Sequence, residues 1–517
     1  LQTQVLIIGA GVTGAGLARD LALRGIACII VEKQDVNAGA SGANHGLLHS
    51  GARYIASDPA AAGECRSESA YIKKLAPQCI EDTGGLFVAV ESDDETYIAD
   101  FPEMCAQCGI ETHAIDPKDA LEMEPALSDN TIAAYHVSDA SIDPFQLTLD
   151  NIAHARQLGA RFLKNTQVVE FQRHQNRIHS VCLVDTHTDE KFTIQAEQVV
   201  NAGGAWAGEI ASLAGIPLEM VYAKGTLLVT FERISKRIIN RLRMPSDGDI
   251  LVPGGTVSIL GTTSVRISDL DDYGPTIEEV NQIISQAAAM LPQLENSRYV
   301  RAYAGIRSLV SPASMKNDRT ISRGFALIDH ATDGLQNFVT IAGGKLTTFR
   351  LMAEKTADLV CKGLGIKEPC RTKSIPLPAS LEGQYARPGV SARKWVKNQN
   401  SKDLLLCECE MVPQSVINAV VRSLQNQNDH PSLKAICHRS RMGKGICQGG
   451  FCSIRTAAYL YSEAVFKEKH GIADIKAFLN ARWKGQRPLM WGAPLVQAEL
   501  QEAIHCGFLS LETAKDG

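Results

Sequence analysis

An α/β fold is predicted, built on a Rossmann-like dinucleotide-binding domain, with a β-rich second domain interleaved through it and a small cysteine-bearing module at the C-terminal end. Three observations carry this. The first is an apolar run, Val5-Leu6-Ile7-Ile8, that passes directly into Gly9-Ala10-Gly11-Val12-Thr13-Gly14 and, after a helical stretch and a second apolar run, delivers Glu32. The second is a pair of later returns to glycine-ended strands, at Asn201-Ala202-Gly203-Gly204 and Gly343-Gly344-Lys345, separated by strand-rich excursions. The third is Cys407-Glu408-Cys409, far downstream, answered by Cys447 and Cys452.

The opening unit reads as βαβ. Gly9 permits a tight turn off the strand, Gly11 lets backbone approach a pyrophosphate, and Gly14 lets the helix over 13–24 pack closely on the sheet. A pyrophosphate then lies at a helix N-terminus, where unpaired N–H groups and the macrodipole favour negative charge. Glu32, followed by Lys33, stands where a carboxylate accepts hydrogen bonds from an adenosine ribose. A lone GxGxxG is weak evidence, but here strand, glycines, helix, strand and acid fall in order.

At 517 residues the chain exceeds one ordinary core, so two or three domains are expected. Hydrophobic content of 45% with 21% charged residues is globular composition, and a net charge of −5 leaves no footprint for nucleic acid. No stretch approaches the roughly 20 apolar residues of a spanning helix, and the N-terminus already reads as strand, not signal peptide, so membrane association is expected to be peripheral. Fourteen scattered cysteines argue against a disulfide framework and for a search for a metal site.

After Glu32, the stretch from Gly39 to Tyr54 holds Ser41, Gly42, Asn44, His45, Gly46, Leu48, His49 and Arg53. Such density suits backbone wrapped around a ligand, and flavoproteins use a long segment here to thread beneath the flavin. The alternative is a glycine-rich surface loop, which has no use for Leu47 and Leu48 between its histidines. Residues 60–75 read as a helix with Glu64, Arg66, Glu68 and Lys73 on its wet side. Strands begin at 85, and Cys105 and Cys108 fall in a helix over 97–108 as ordinary packing. The stretch 136–144 reads as a strand and turn leading into a helix over 144–158. Residues 198–207 form a buried strand ending at Ala202-Gly203-Gly204 and opening a helix at Trp206. Further strands follow at 225–231, 250–252 and 256–263. Residues 301–309 place an arginine at each end of a glycine-containing turn, and 338–341 enter Gly343-Gly344-Lys345-Leu346-Thr347-Thr348 ahead of a helix over 349–364. A helix N-terminus behind two glycines can donate N–H groups to a flavin carbonyl.

Together Gly9 to Glu32, Asn44 to Tyr54, Asn201 to Trp206, Ala302 to Leu309 and Gly343 to Arg350 resemble the FAD-dependent glycerol-3-phosphate dehydrogenases, within the wider D-amino-acid oxidase superfamily. The resemblance implies FAD held by Gly9, Gly11, Gly14, Glu32, Lys33, Ser41, Gly42, Asn44, His45, Gly46, Leu48, Ala202, Gly203, Gly204, Trp206, Gly344, Lys345, Leu346 and Thr347. It implies oxidation of sn-glycerol 3-phosphate to dihydroxyacetone phosphate by hydride transfer to that FAD. Arg53, Arg307 and Lys345 match the cations that the family places around substrate phosphate and hydroxyl, and arginine offers phosphate a bidentate fork. Tyr54 and the Gly261-Thr262-Thr263 turn add neutral donors. Where aerobic relatives carry a histidine this sequence has Leu227, which leaves His45 and His49 as candidate bases. The implied domains are 1–80, 150–215 and 325–365 for FAD, with 81–149 and 216–324 for substrate.

The proline-bearing stretch 366–402 reads as a linker, 403–456 as the cysteine module and 457–517 as a helical tail. Four thiolates from two loops, Cys407, Cys409, Cys447 and Cys452, suit a 2Fe–2S cluster, and the arrangement resembles a small bacterial ferredoxin-like module; a structural zinc site is the alternative. Cys437 falls outside the pattern. The tail's Arg482-Trp483-Lys484-Gly485 and a last helix over 494–504 are core or subunit interface. This C-terminal part is similar to that of the family's anaerobic branch. The similarity implies a catalytic subunit with two further subunits, peripheral on the cytoplasmic face of the inner membrane and feeding the quinone pool. An oxidase of amino or 2-hydroxy acids in the same fold, and a non-catalytic redox subunit, stay open as alternatives.

Overall fold

The computed structural model describes residues 1–309, 324–427, 429–508 and 511. The parts of the expected second domain at 310–323 and of the tail at 509–510 and 512–517 lie outside the described residues. The opening unit forms as β1 (Gln2–Ile8), α1 (Val12–Leu23) and β2 (Cys28–Val31). β1 pairs in parallel with β2 and, on its other side, with Lys191–Asn201, which pairs in parallel with Phe338–Gly343. Arg161–Leu163 extends the sheet beyond β2.

Val5, Leu6 and Ile7 in succession are fully buried, because this parallel sheet is covered on both faces. One face packs on α1 with the helices Pro144–Gln157 and Phe349–Leu364. The other packs on the hairpin Thr166–His174 and Arg177–Asp185 and on the helix Ala207–Leu213. β1, Lys191–Asn201 and Phe338–Gly343 all end at one edge, where ligands bind in open α/β sheets, and Gly9 meets Ala202 there.

The second domain is a nine-stranded sheet assembled from both excursions, with Gly85–Val90 beside Ile238–Arg241 as the join. The stretch 301–309, expected as a turn, is instead part of one continuous strand, Tyr299–Leu309, antiparallel to Val221–Thr230 along its length. Gly305 serves no turn. A Cβ there would meet Ala43 O at 2.3 Å, so the glycine exists to let the ligand loop lie on the strand.

The helix Pro59–Leu75 forms behind its N-cap Asp58, but Glu68 is not on its wet side. It is 3% exposed and accepts from Arg350 Nε and Nη2 at 2.7 and 2.6 Å. Its spacing from Ala61, Cys65, Ile72 and Leu75 puts it on the core face, where only a bidentate partner makes a carboxylate tolerable.

Residues 366–402 are no free tether either. Arg19 Nη2 donates to Ile375 O at 2.7 Å, Leu377 N to Leu75 O at 2.8 Å and Ser380 Oγ to Asp150 at 2.7 Å, and a helix, Val390–Asn398, closes the stretch. Beyond it, a two-stranded ribbon and the helices Gln414–Gln425, Leu433–Ser440, Cys452–Ser462 and His470–Gln486 surround their own core, which includes Val416, Ile436, Leu460 and Leu479. Phe478 and Trp483 of the tail join that core, and a Cβ on Gly485 would meet Ala302 O at 2.5 Å, so this helix sits directly on the second domain. The last helix, Ala493–Ala503, buries none of its residues.

Candidate active site

The glycine loop is a cradle closed by its neighbours. Gly9 has φ +110°, and a Cβ there would meet Ala202 O at 2.5 Å, while a Cβ on Gly14 would strike Gly9 O. Gly11 caps α1, whose first free N–H, Val12 N, donates to Ser41 Oγ at 3.1 Å. Glu32 accepts from Ala10 N at 2.9 Å and Gln34 N at 3.0 Å, which fixes the carboxylate against the loop. Lys33, next in the chain, is exposed. The residues present therefore fit a diphosphate at Gly9–Gly14 with its ribose at Glu32.

The segment after Glu32 braces itself. Asn44 donates to Ala40 O and Ser41 O at 3.1 and 2.8 Å and accepts from Gly46 N at 2.7 Å, while Tyr303 donates to Asn44 O at 2.9 Å. Cβ atoms on Gly42 and Gly46 would run into Asn37 O and Ile142 O, and Gly39 lies on the Trp206 ring. Leu48 and Thr347 are fully buried. Gly203 and Gly204 hold the turn beside Gly9.

A cavity of about 270 Å³ opens between this segment, the second sheet and the Gly343–Leu346 turn. It collects Ser41, Asn44, His45, His49, Arg53, Tyr54, Thr262, Arg307, Gly344, Lys345 and Leu346, so the expected catalytic set comes from four separate parts of the chain to one place. Arg307 is aimed by Nη1 to Thr263 O at 3.1 Å and by Nη2 to Thr262 Oγ1. Arg53 Nη2 donates to Asp249 Oδ2 at 2.9 Å, while Nη1 is buried without a partner. Lys345 Nζ lies 4.6 Å from the centre of the Tyr54 ring.

The two histidines separate clearly. His49 is 3.3 Å from Tyr54 OH through Nε2, and its backbone N–H donates to Thr347 Oγ1 at 3.1 Å. His45 hydrogen-bonds the Gly261 backbone through its ring and leaves Nε2 buried and unpartnered. Burial, then Arg307 and Arg53, hold its pKa down at about 3, so the imidazole is neutral with a free lone pair. The free Nε2 can accept a proton, but so low a pKa makes it a weak base until the charges of Arg307 and Arg53 are offset by a bound anion.

Sequence reasoning missed what holds the cations. Asp249, 1% exposed, takes Arg53 on one oxygen and Arg243 on the other, at 2.9 and 2.8 Å. Glu279 pairs with Lys224 at 2.8 Å and accepts from Thr263 Oγ1 at 2.9 Å, which pins the turn under Arg307. Both acids lie in ordinary loop and helix contexts, so no local pattern marks them.

In the C-terminal module the four expected cysteines converge. Cys447 interacts with Cys409 and Cys452, and Cys407 with Cys452. Backbone N–H groups of Gly449 and Phe451 point at Cys447, and those of Gly443 and Glu410 at Cys407. The Cys409 and Cys452 contacts, followed by those N–H groups, pull the Cys447 thiol strongly down. Among the described residues no group of three or more His, Cys, Asp or Glu is arranged for a metal ion. The thiols lie in mutual contact, and the donor set and amide cradle still match what sulfur-ligated iron needs. Cys105 is buried in a hydrophobic cluster with Cys108 packed against it, as expected of packing residues.

The family model described as FAD dependent oxidoreductase matches residues 4–359. The chain is 41% identical to the A subunit of the anaerobic glycerol-3-phosphate dehydrogenase of Escherichia coli (strain K12), over 99% of this chain and 97% of that one. The chain belongs to the FAD dependent oxidoreductases, among the anaerobic glycerol-3-phosphate dehydrogenases. The corresponding polypeptide of Haemophilus influenzae is 40% identical over 100% of this chain and 94% of its own. The structure of a glycerol-3-phosphate dehydrogenase from Bacillus halodurans, complexed with FAD, superposes with a TM-score of 0.65 at 22% identity, covering 95% of this chain and 96% of that one. Membership makes FAD the cofactor for which the cradle is shaped, and the expected FAD-binding α/β fold is the one found. No helix among the described residues is long and apolar enough to cross a membrane.

Proposed function

We propose that this chain oxidises sn-glycerol 3-phosphate to dihydroxyacetone phosphate. The observation that carries the reading is His45, neutral and with Nε2 free, buried between two arginines in a cavity that borders the cofactor segment. FAD, held by Gly9, Gly11, Gly14, Glu32, Ser41 and the Gly343–Leu346 turn, would supply the hydride acceptor. The remaining work falls to the protein. Arg53 Nη1 and Arg307 take the substrate phosphate dianion, with Lys345 and Tyr54 beside them. The same cations lower the pKa of the neighbouring alcohol, and His45 Nε2 accepts its proton as the carbonyl forms. Asp249 and the Thr262-Thr263 turn keep the two arginine planes fixed, so the phosphate is positioned with little reorganisation.

Cys407, Cys409, Cys447 and Cys452 would hold a 2Fe–2S cluster, whose chemistry there is one-electron transfer toward two further subunits and the quinone pool. Amide donors around the sulfurs and the likeness to one component of a multi-subunit dehydrogenase support this. The chain would then work on the cytoplasmic face of the inner membrane, held by those subunits. Anaerobic addition of glycerol 3-phosphate to the purified protein should bleach its visible flavin band, and amino acids should not. Bleaching by an amino acid but not by glycerol 3-phosphate would overturn the reading.

A further inference from the structure

A second, larger cavity of about 780 Å³ lies on the other side of the cofactor segment, between its outer face at Asn37–Gly46 and the cysteine module. Its charge is lopsided. Eight lysines and arginines line it against three carboxylates, Glu81, Asp143 and Glu410. Two of those acids are already engaged, Glu410 by Arg441 at 2.7 Å and Glu81 by Arg233 at 2.8 Å. Asp143 caps the helix Pro144–Gln157.

Among the described residues Arg301, Arg482 and Lys444 form no salt bridge with a carboxylate, although Asp143 acts on Lys444 at longer range. Arg301 has no carboxylate partner among the described residues, and its Nε is sealed from solvent and bonds nothing. Burial, then the like charge of Arg482, push its pKa down to about 9. Arg482 itself meets a thiol, Cys437 Sγ at 2.9 Å, in place of an acid. Lys444 rests over the Phe145 ring at 4.5 Å and is also lowered by burial. Two neutral groups are unpaired as well: His438 Nδ1, and Oε1 of Gln448, a residue only 3% exposed.

Repelling cations in a low-dielectric site are strongly unfavourable unless a counter-charge is bound. Arginine is the residue that recognises phosphate oxygens in pairs. An aromatic surface is also present, since the His438 and Phe145 rings pack with centroids 4.7 Å apart on the cavity wall. We propose that this cavity is a binding site for a diphosphate-bearing anion, separate from the FAD cradle at Gly9–Gly14. A single phosphomonoester would neutralise too little of the surplus of five charges, whereas a diphosphate carries about three negative charges near neutral pH. Its occupant would touch both the loop that carries His45 and the loop that carries Cys447.

The test is calorimetric titration of the flavin-loaded enzyme with inorganic pyrophosphate and, separately, with ADP. Both should saturate one site per chain with dissociation constants below about 1 mM, weakening as salt is raised. Arg393→Gln, at an exposed lining position, and Lys444→Gln should each weaken binding about tenfold, as loss of a charge-assisted contact does. ADP tighter than pyrophosphate places a base on the Phe145–His438 wall, and equal affinities assign the site to the diphosphate alone. Titrations that do not saturate, affinities unchanged in both variants, or release of FAD as pyrophosphate is added would each overturn the proposal. None of these outcomes depends on the oxidation of glycerol 3-phosphate.

Discussion

Arg439 in the cysteine module donates from Nη1 and Nη2 to the two oxygens of Asp35, at 2.7 and 3.0 Å, with both side chains buried. Asp35 stands three residues past Glu32, so the cofactor strand and the cysteine module are tied by one bidentate pair. Lys164 lies 3.9 Å from the same carboxylate and 3.1 Å from Asp429 of the module, which completes the tie.

Removing Arg439 should therefore loosen both ends. Arg439→Met leaves a buried carboxylate short of its main partner, an expected loss of about 3–5 kcal/mol, and Asp35→Leu in the same chain should recover much of it. Burial by itself would raise the Asp35 pKa, but Arg439 and Lys164 hold it far below the usual carboxylate range. A depressed acid stabilises the fold fully above its unfolded value, about 4, and that stability drains away as pH falls below it. Denaturant midpoints from pH 7 down to pH 3 check this: the wild type should lose its advantage over the double variant as acid is added. An Arg439→Met midpoint equal to wild type would show the pair to be idle.

His45→Gln should keep FAD and keep substrate affinity, yet lower kcat by about 100-fold or more, the contribution of a placed general base. His49→Gln should cost much less. A larger loss at His49 than at His45 would reverse the assignment.

Arg307→Ala should cost about tenfold or more in kcat/KM for glycerol 3-phosphate, given roughly 1.5–3 kcal/mol for a charge-assisted hydrogen bond. Glycerol, which has no phosphate, should be a poor substrate for wild type and no worse for the variant. The variant also removes the larger of the two charges depressing His45, so its acid limb should move up toward the ordinary histidine value. An unmoved limb would separate His45 from the titration.

Much of the site was legible because glycine and cation motifs are local. Gly9, Gly11 and Gly14 with Glu32, the segment carrying His45 and Arg53, and Arg307 and Lys345 each stand out in a few consecutive residues, and the fold only had to bring them together. What did not show was long-range. Glu68 reads as a surface residue until Arg350, 282 positions on, is seen to take it. Asp249 has no pattern of its own and matters only because Arg53 arrives from 196 residues away. Gly305 suggested a turn because the backbone it must admit, Ala43, is remote in sequence. The proline-bearing stretch at 366–402 reads as a tether by composition, although Leu377 and Ser380 are held by Leu75 and Asp150. Burial partners distant in sequence leave no periodic trace.

That packing also decides how the cysteine module should be tested. Truncation would unpair Asp35 and uncover the Ala302 contact of Gly485, so a point variant is the cleaner probe. Cys447→Ser keeps the size of the side chain but replaces a thiolate by a harder oxygen that holds iron poorly. Iron content and the paramagnetic signal of the reduced protein should fall, while the Arg439–Asp35 tie and the FAD cradle stay intact. Flavin bleaching by glycerol 3-phosphate under anaerobic conditions should then survive, because His45, Arg53 and Arg307 are untouched, and quinone reduction by the assembled complex should stop. Wild-type protein that carries zinc without iron at these cysteines, or a variant that still reduces quinone at the wild-type rate, would remove the module from the electron route and leave it a structural clip.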